Sequence, residues 1–256
     1  MSRTRTALSR GYAISYEDAG QGFPVALIPG YMQSAADYVE AGYLERLAAV
    51  GRVLVIDPLG HGKSDKPHDP VPYRAPGLTA DLIAVLDNAG LDKVALWGYS
   101  RGAYLAGMTA IEYPHRLSAL IVGGGSLTYT PPIEIPQWVD PLSRGDWPEF
   151  FSLFPIPLSL EVQRHFEEGN DPKALAASAI GRIESPYVFH LDRVTVPSLV
   201  YCGGDDGPED AIPTAQLLGT EVRVLEGCDH FAASAAIDQI MPIAIEFLDS
   251  MRLLKS

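Results

Sequence analysis

The chain has 256 residues, 47% of them hydrophobic and 20% charged, an ordinary balance for a globular protein with room for a full core. Its net charge of −13 leaves no surface to neutralise phosphates, which argues against a nucleic-acid or anionic-membrane partner. Two cysteines, Cys202 and Cys228, are too few for a disulfide scaffold; a bridge needs their strands adjacent, and free buried thiols are the expected state.

Met1 to Arg10 carries Arg3, Arg5 and Arg10 with no apolar run behind them, which fits neither a secretory signal nor a membrane anchor. A cytoplasmic location is therefore expected. Tyr12 to Glu17 predicts an edge strand, and after a Gly20-Gln21-Gly22 turn the apolar run Pro24 to Ile28 predicts a buried parallel strand. It ends at Pro29-Gly30-Tyr31-Met32. Ala35 to Val50 has helical apolar spacing broken near Gly42, and Val53 to Ile56 is the next strand. The loop beyond it, Asp57 to Pro67, contains Gly62-Lys63-Ser64. A phosphate-binding loop would need a glycine where Asp57 stands, and Pro67 blocks an immediate helix. Gly77 to Ala89 predicts an amphipathic helix with Leu78, Leu82, Val85 and Leu86 on one face.

Val94 to Trp97 predicts a short buried strand, Gly98-Tyr99-Ser100-Arg101-Gly102 a sharp turn, and Ala103 to Tyr113 the helix leaving it. Such a turn lifts the serine hydroxyl out of the sheet, and the two glycines remove side chains that would collide with strand and helix. A glycine-rich turn with a surface serine is the plainer alternative. Leu117 to Val122 continues the sheet into Gly123-Gly124-Gly125, where the alternation of strand and helix stops.

From Ser126 to about Val196 the chain is rich in aromatics and proline, with helices expected over Leu160 to Glu168 and Pro172 to Ile183. This stretch is too short to bury a comfortable core of its own, so it reads as a lid over 126–196, between core segments 1–125 and 197–256. Its aromatics either pack on the sheet or roof an apolar pocket. The sheet resumes at Ser198 to Tyr201, ending at Cys202-Gly203-Gly204-Asp205-Asp206. A helix over Pro208 to Leu218, a strand over Glu221 to Leu225, a loop over Glu226 to Phe231 and a closing helix over Ala235 to Leu254 follow.

A serine hydroxyl is a poor nucleophile at neutral pH and needs an imidazole to take its proton and an acid to orient that imidazole. Asp205 or Asp206, and then His230, lie just past two successive strands. With Pro29-Gly30-Tyr31, Asp57-Pro58-Leu59-Gly60-His61-Gly62-Lys63-Ser64-Asp65, Gly98-Tyr99-Ser100-Arg101-Gly102, Gly203-Gly204-Asp205-Asp206 and Gly227-Cys228-Asp229-His230-Phe231 in this order, the chain resembles an α/β-hydrolase. The resemblance is to the small esterase, lactonase and perhydrolase-like kind, and runs from about Tyr12 to Leu248.

That resemblance implies an α/β fold, with a mostly parallel central sheet, helices on both faces and a short helical lid. It implies Ser100 as nucleophile, His230 as general base and Asp206 as acid in preference to Asp205, which stays open as a turn residue or as the acid itself. The amides of Tyr31 and Arg101 would form the oxyanion hole, although many relatives have His-Gly where this chain has Pro29-Gly30. Candidate substrate contacts are Tyr31, Arg101, Trp138, Trp147 and Phe231. The Arg101 guanidinium has two readings: a structural pair with Asp57 or Asp205, which is favoured, or a hold on a substrate carboxylate. Asp229 reads as a loop cap and His61 as structural, while His68, His115, His165 and His190 read as surface or lid residues. No cofactor is implied, and no ligand spacing supports a metal at Asp205, Asp206, Asp229 and His230. The expected activity is cleavage of a small ester or lactone through an acyl-enzyme. Carbon–carbon or cyanohydrin cleavage on the same fold is the nearest alternative, and a ligand receptor with little turnover is a different one.

Overall fold

The structure, a computed structural model, describes residues 2–128, 134–154 and 158–253. Its strands are β1 (Arg3–Ser9), β2 (Tyr12–Gly20), β3 (Pro24–Ile28), β4 (Arg52–Ile56), β5 (Val94–Tyr99), β6 (Leu117–Gly123), β7 (Ser198–Gly203) and β8 (Val222–Leu225). They form one sheet in the order β1-β2-β4-β3-β5-β6-β7-β8, in which β2 runs antiparallel to both its neighbours, β1 and β4, and every other pairing is parallel. The helices are α1 (Ala35–Glu40), α2 (Tyr43–Ala48), α3 (Ala75–Asn88), α4 (Arg101–Glu112), α5 (Val139–Arg144), α6 (Trp147–Ser152), α7 (Leu160–Gly169), α8 (Pro172–Glu184), α9 (Ile212–Leu217), α10 (His230–Ala235) and α11 (Ile237–Leu253).

Parallel strands covered on both sides carry apolar residues at every position, and here successive residues feed two different cores. Ala26 and Ile28 of β3 pack with Leu78, Leu82 and Val85 of α3 and Met108 of α4. Val25 and Leu27 of the same strand pack with Leu47 of α2 and Ile240, Ala244 and Leu248 of α11. A third cluster joins Met32 to Val139, Leu142, Phe150, Phe151, Phe166 and Leu175. The segment between β6 and β7 thus builds a small core of its own rather than laying all its aromatics on the sheet. Residues 129–133 and 155–157 of the expected 126–196 insertion, and Leu254 of the expected closing helix, lie outside the described residues.

Four local expectations are corrected. Tyr12 to Glu17 is not at the sheet edge, because β1 covers it; β1 was hidden by a polar alternation that buries only Ala7 and Ser9. The helix over Pro208 to Leu218 is split into a single 3-10 turn (Pro208–Asp210) and α9, which starts with Pro213 in its first turn. His230 does not sit in a loop but opens α10, which Asp229 caps by accepting from the Ala232 amide at 2.8 Å, and the closing helix starts afresh at Ile237. Helices α5 and α6 were not anticipated; both are six residues long, shorter than a periodicity needs to declare itself.

The chain runs from β3 through α1 and α2 to β4, then through α3 to β5 on the other side of β3. The loops leaving β3 and β5 therefore separate in opposite directions, opening a crevice at the strands' carboxyl ends. Ser100 follows β5 and Gly30 follows β3, both at that crevice.

Candidate active site

Ser100 has φ 52° and ψ −114°, a left-handed backbone that costs a non-glycine residue about 1–3 kcal/mol. Its surroundings hold it there. The Ser100 amide donates to the Gly123 carbonyl at 2.7 Å, and its own carbonyl accepts from the Tyr104 amide at 3.1 Å as α4 begins. A Cβ on Gly98 would lie 2.1 Å from the Gly102 carbonyl oxygen, and one on Gly102 would lie 2.1 Å from that of Ile28. Both glycines are there because backbone passes backbone.

His230 Nε2 lies 2.9 Å from Ser100 Oγ, and His230 Nδ1 lies 2.8 Å from Asp206 Oδ2. The three side chains named from the sequence are thus brought together, and it is Asp206, not Asp205, that meets the imidazole. The Tyr99 hydroxyl donates to the His230 carbonyl at 2.6 Å, and its ring lies 5.5 Å from the imidazole. The imidazole is held on three sides by strand-end residues. A hydroxyl bonded to the unprotonated nitrogen of an imidazole whose other N–H faces a carboxylate is set to lose its proton on attack.

The two residues named for the oxyanion hole lie close to Ser100, one next to it in the chain and one across the crevice. Arg101 is the first residue of α4, where amides have no partner within the helix. Tyr31 follows Gly30, whose Cβ, if it had one, would lie 3.5 Å from Ser100 Cβ. Gln33 secures this loop: its Oε1 accepts from the Gly30 amide at 3.1 Å, and its Nε2 donates to Ser234 Oγ on α10 at 2.9 Å. Nothing in the sequence pattern pointed to Gln33, because its partner lies 201 positions away.

Ser100, Tyr31, Trp138 and His230 line two cavities at once. One, of about 370 Å³, is apolar, walled by Met32, Phe150, Leu153, Phe154 and Phe231. The other, of about 700 Å³, is lined by Arg101, Ser126, Arg182, Asp206 and Glu209 among others. Of the candidate substrate contacts, Tyr31, Arg101, Trp138 and Phe231 face these spaces. Trp147 does not line either; it stacks on Phe151 at 5.4 Å inside the cluster of α5 to α8.

The favoured reading of Arg101 is corrected as well. It pairs with neither Asp57 nor Asp205. Its Nη1 donates to Ser178 Oγ of α8 at 2.8 Å and lies 3.5 Å from His61 Nε2, and its guanidinium sits 5.4 Å from the Tyr31 ring centroid. Burial pulls it down to about 10, so it stays charged at neutral pH. Asp57 is occupied elsewhere, accepting from the amides of Ala35 and Lys63 at 2.6 and 2.9 Å. Its carboxylate fills the place where Gly62 has no side chain, which fixes the Asp57 to Asp65 loop by backbone bonds. His61, 1% exposed, is pulled down to about 3 by burial and by the neighbouring Arg101 charge, so it is neutral.

Both cysteines are free and buried. Among the described residues, no group of three or more His, Cys, Asp or Glu is gathered to hold a metal ion, and no helix is long and apolar enough to cross a membrane.

Residues 24–168 match the family described as alpha/beta hydrolase fold. Over 121 residues the chain is 31% identical to a 2-hydroxy-6-oxo-2,4-heptadienoate hydrolase of Pseudomonas putida, a match covering 47% of this chain and 44% of that one. Over 117 residues it is 32% identical to epoxide hydrolase 3 of Siraitia grosvenorii, covering 45% and 36%. The chain thus spans less than half the length of either relative. Among solved structures, the enol-lactonase from Burkholderia xenovorans superposes with a TM-score of 0.82 at 17% identity, over 96% of this chain and 100% of that one.

Proposed function

Since the chain belongs to the α/β-hydrolase family, we propose that it is a serine hydrolase that cleaves a small carboxylic ester or lactone through an acyl-enzyme. In this reading Ser100 Oγ attacks the carbonyl as His230 Nε2 takes its proton, and Asp206 stabilises the imidazolium. The amides of Tyr31 and Arg101 donate to the oxyanion. The imidazolium then protonates the leaving alkoxide; a water, deprotonated by the same nitrogen, attacks the acyl-enzyme, and the imidazolium returns that proton to Ser100 Oγ as the acid leaves. The observation that carries the proposal is the unbroken line from Ser100 Oγ through His230 to Asp206, with both bonds under 3 Å. The segment between β6 and β7 serves as a lid, supplying Trp138, Phe150 and Phe154 to the wall of the smaller cavity.

Carbon–carbon bond hydrolysis is the second reading, favoured by the match to the Pseudomonas putida hydrolase. Turnover of a 4-nitrophenyl acyl ester series by the wild type and by Ser100→Ala separates the two. The ester reading expects turnover that Ser100→Ala lowers by about a thousandfold or more, in line with loss of a covalent nucleophile. Serine-dependent cleavage of a vinylogous diketone with no ester cleavage would establish the second reading instead. Tight ligand binding with neither reaction would make the protein a receptor.

A further inference from the structure

Arg101 and Arg182 stand out in a chain of net charge −13. Among the described residues, the ion pairs involve neither of them. Each instead lies against an aromatic ring, Arg101 over Tyr31 at 5.4 Å and Arg182 over Tyr104 at 5.1 Å. Both line the 700 Å³ cavity that also holds Ser100 and His230. They reach it from two elements, α4 below and α8 above, and are close enough for each charge to oppose the other.

A guanidinium taken out of water needs a matching anion, and two that share one cavity without one repel each other. Only Nη1 of Arg101 meets protein acceptors, Ser178 Oγ at 2.8 Å and His61 Nε2 at 3.5 Å, so most of its five donors are left for something else. The acids of the same cavity do not supply the match. Asp206 is taken by His230, and Glu209 and Asp210 are exposed residues of the 3-10 turn after β7. On the other side of Ser100 the smaller cavity is apolar. The hydroxyl therefore stands at a border between a charged compartment, holding both guanidiniums and rimmed by Glu209 and Asp210, and an apolar one.

We infer that the ester or lactone cleaved here carries a carboxylate, held by Arg101 and Arg182 in the larger cavity, with its apolar arm in the smaller one. This rests on the ester reading above and adds the substrate's charge to it. A planar carboxylate suits the fork of a guanidinium, and its charge-assisted hydrogen bonds are about twice as strong as neutral ones.

Two matched pairs of esters test the inference: mono-4-nitrophenyl glutarate against 4-nitrophenyl pentanoate, and 4-(butanoyloxy)benzoate against phenyl butanoate. They place the carboxylate on the acyl and on the alcohol side. In at least one pair the wild type should favour the anionic ester by about tenfold or more in kcat/KM, and Arg182→Met and Arg101→Met should each bring that ratio toward one. The ratio within each variant is the readout, because a general loss of activity leaves it unchanged. Equal or better turnover of the neutral ester in both pairs, with turnover still dependent on Ser100, overturns the inference and leaves the ester reading standing. If no ester is turned over, that reading fails, and calorimetry with glutarate on Ser100→Ala decides the anion site. Binding weakened about fivefold or more by Arg182→Met upholds it, and absence of binding removes it.

Discussion

The side chain of Gln33 spans the gap between the loop that carries Tyr31 and the helix that carries His230, with one bond to the Gly30 amide and one to Ser234 Oγ. It touches no reacting atom and acts by position. On the proposed ester mechanism, Gln33→Ala is expected to lower kcat by about tenfold with little change in KM, since it loosens the Tyr31 amide assigned there to the oxyanion more than the binding walls. Gln33→Glu keeps the acceptor for Gly30 and should recover part of the loss; steady-state kinetics on the three proteins checks this. An equal fall in both variants, or a change confined to KM, would count against the role. Ser100 and His230 were legible because short local patterns mark them, a glycine-flanked serine after β5 and a histidine past β8, while the acid past β7 was narrowed to Asp205 or Asp206, with Asp206 preferred through the family resemblance. Gln33, Ser178 and Arg182 were not, because what they do depends on partners far along the chain. Arg101 was half legible. Its charge showed that it needed a partner, but the candidate Asp57 was already committed to two backbone amides.

At the scale of elements, α4 is seated by its second residue. A methyl on Gly102 would meet the Ile28 carbonyl oxygen at 2.1 Å and that of Pro29 at 2.6 Å, so the helix can keep its place only if its start moves away from β3. Gly102→Ala is expected to cost about 1–3 kcal/mol of stability by overpacking, and to depress Ser100-dependent turnover beyond what the loss of folded protein explains. Denaturant unfolding read beside active-site titration distinguishes the two effects. An unshifted midpoint would show that the close approach is not needed. Most of the parallel strands were readable from continuous apolar runs, and α3 from helical spacing. What failed were the elements with weak or divided signals: β1 with polar residues on most positions, α5 and α6 with six residues each, and α10, whose start coincides with the histidine that the sequence presents as a loop.

For the whole molecule, His61 makes stability depend on acidity. Folded, burial holds it down at about 3, whereas unfolded it returns to about 6.5. Between those values the unfolded chain binds a proton that the folded chain refuses, so stability falls as pH is lowered through that window, by a few kcal/mol at about its lower end. Above about pH 6.5 the residue is neutral in both states and contributes no slope. Asp57 works in the opposite sense: burial pushes its carboxyl up, so it takes its proton earlier in the folded state and offsets part of the loss near the acid end. Unfolding free energies at several values between pH 7 and pH 4 should therefore decline less steeply in His61→Gln than in the wild type. Parallel declines would remove His61 as the cause. The bonds that tie the roof to the floor include Tyr31 hydroxyl to the Leu175 carbonyl, Arg101 to Ser178, and Asn170 Nδ2 to the Met32 carbonyl, with the pairs His68–Asp171, Arg74–Glu184 and His165–Asp37 beside them. Swinging α8 upward would break the first two and unsettle the loop that holds Tyr31. At the rims, Leu153 and Phe231 of the smaller cavity are 45% and 51% exposed, and Glu209 and Asp210 of the larger one are exposed too, so with the roof pinned solvent meets the crevice along one greasy edge and one acidic edge.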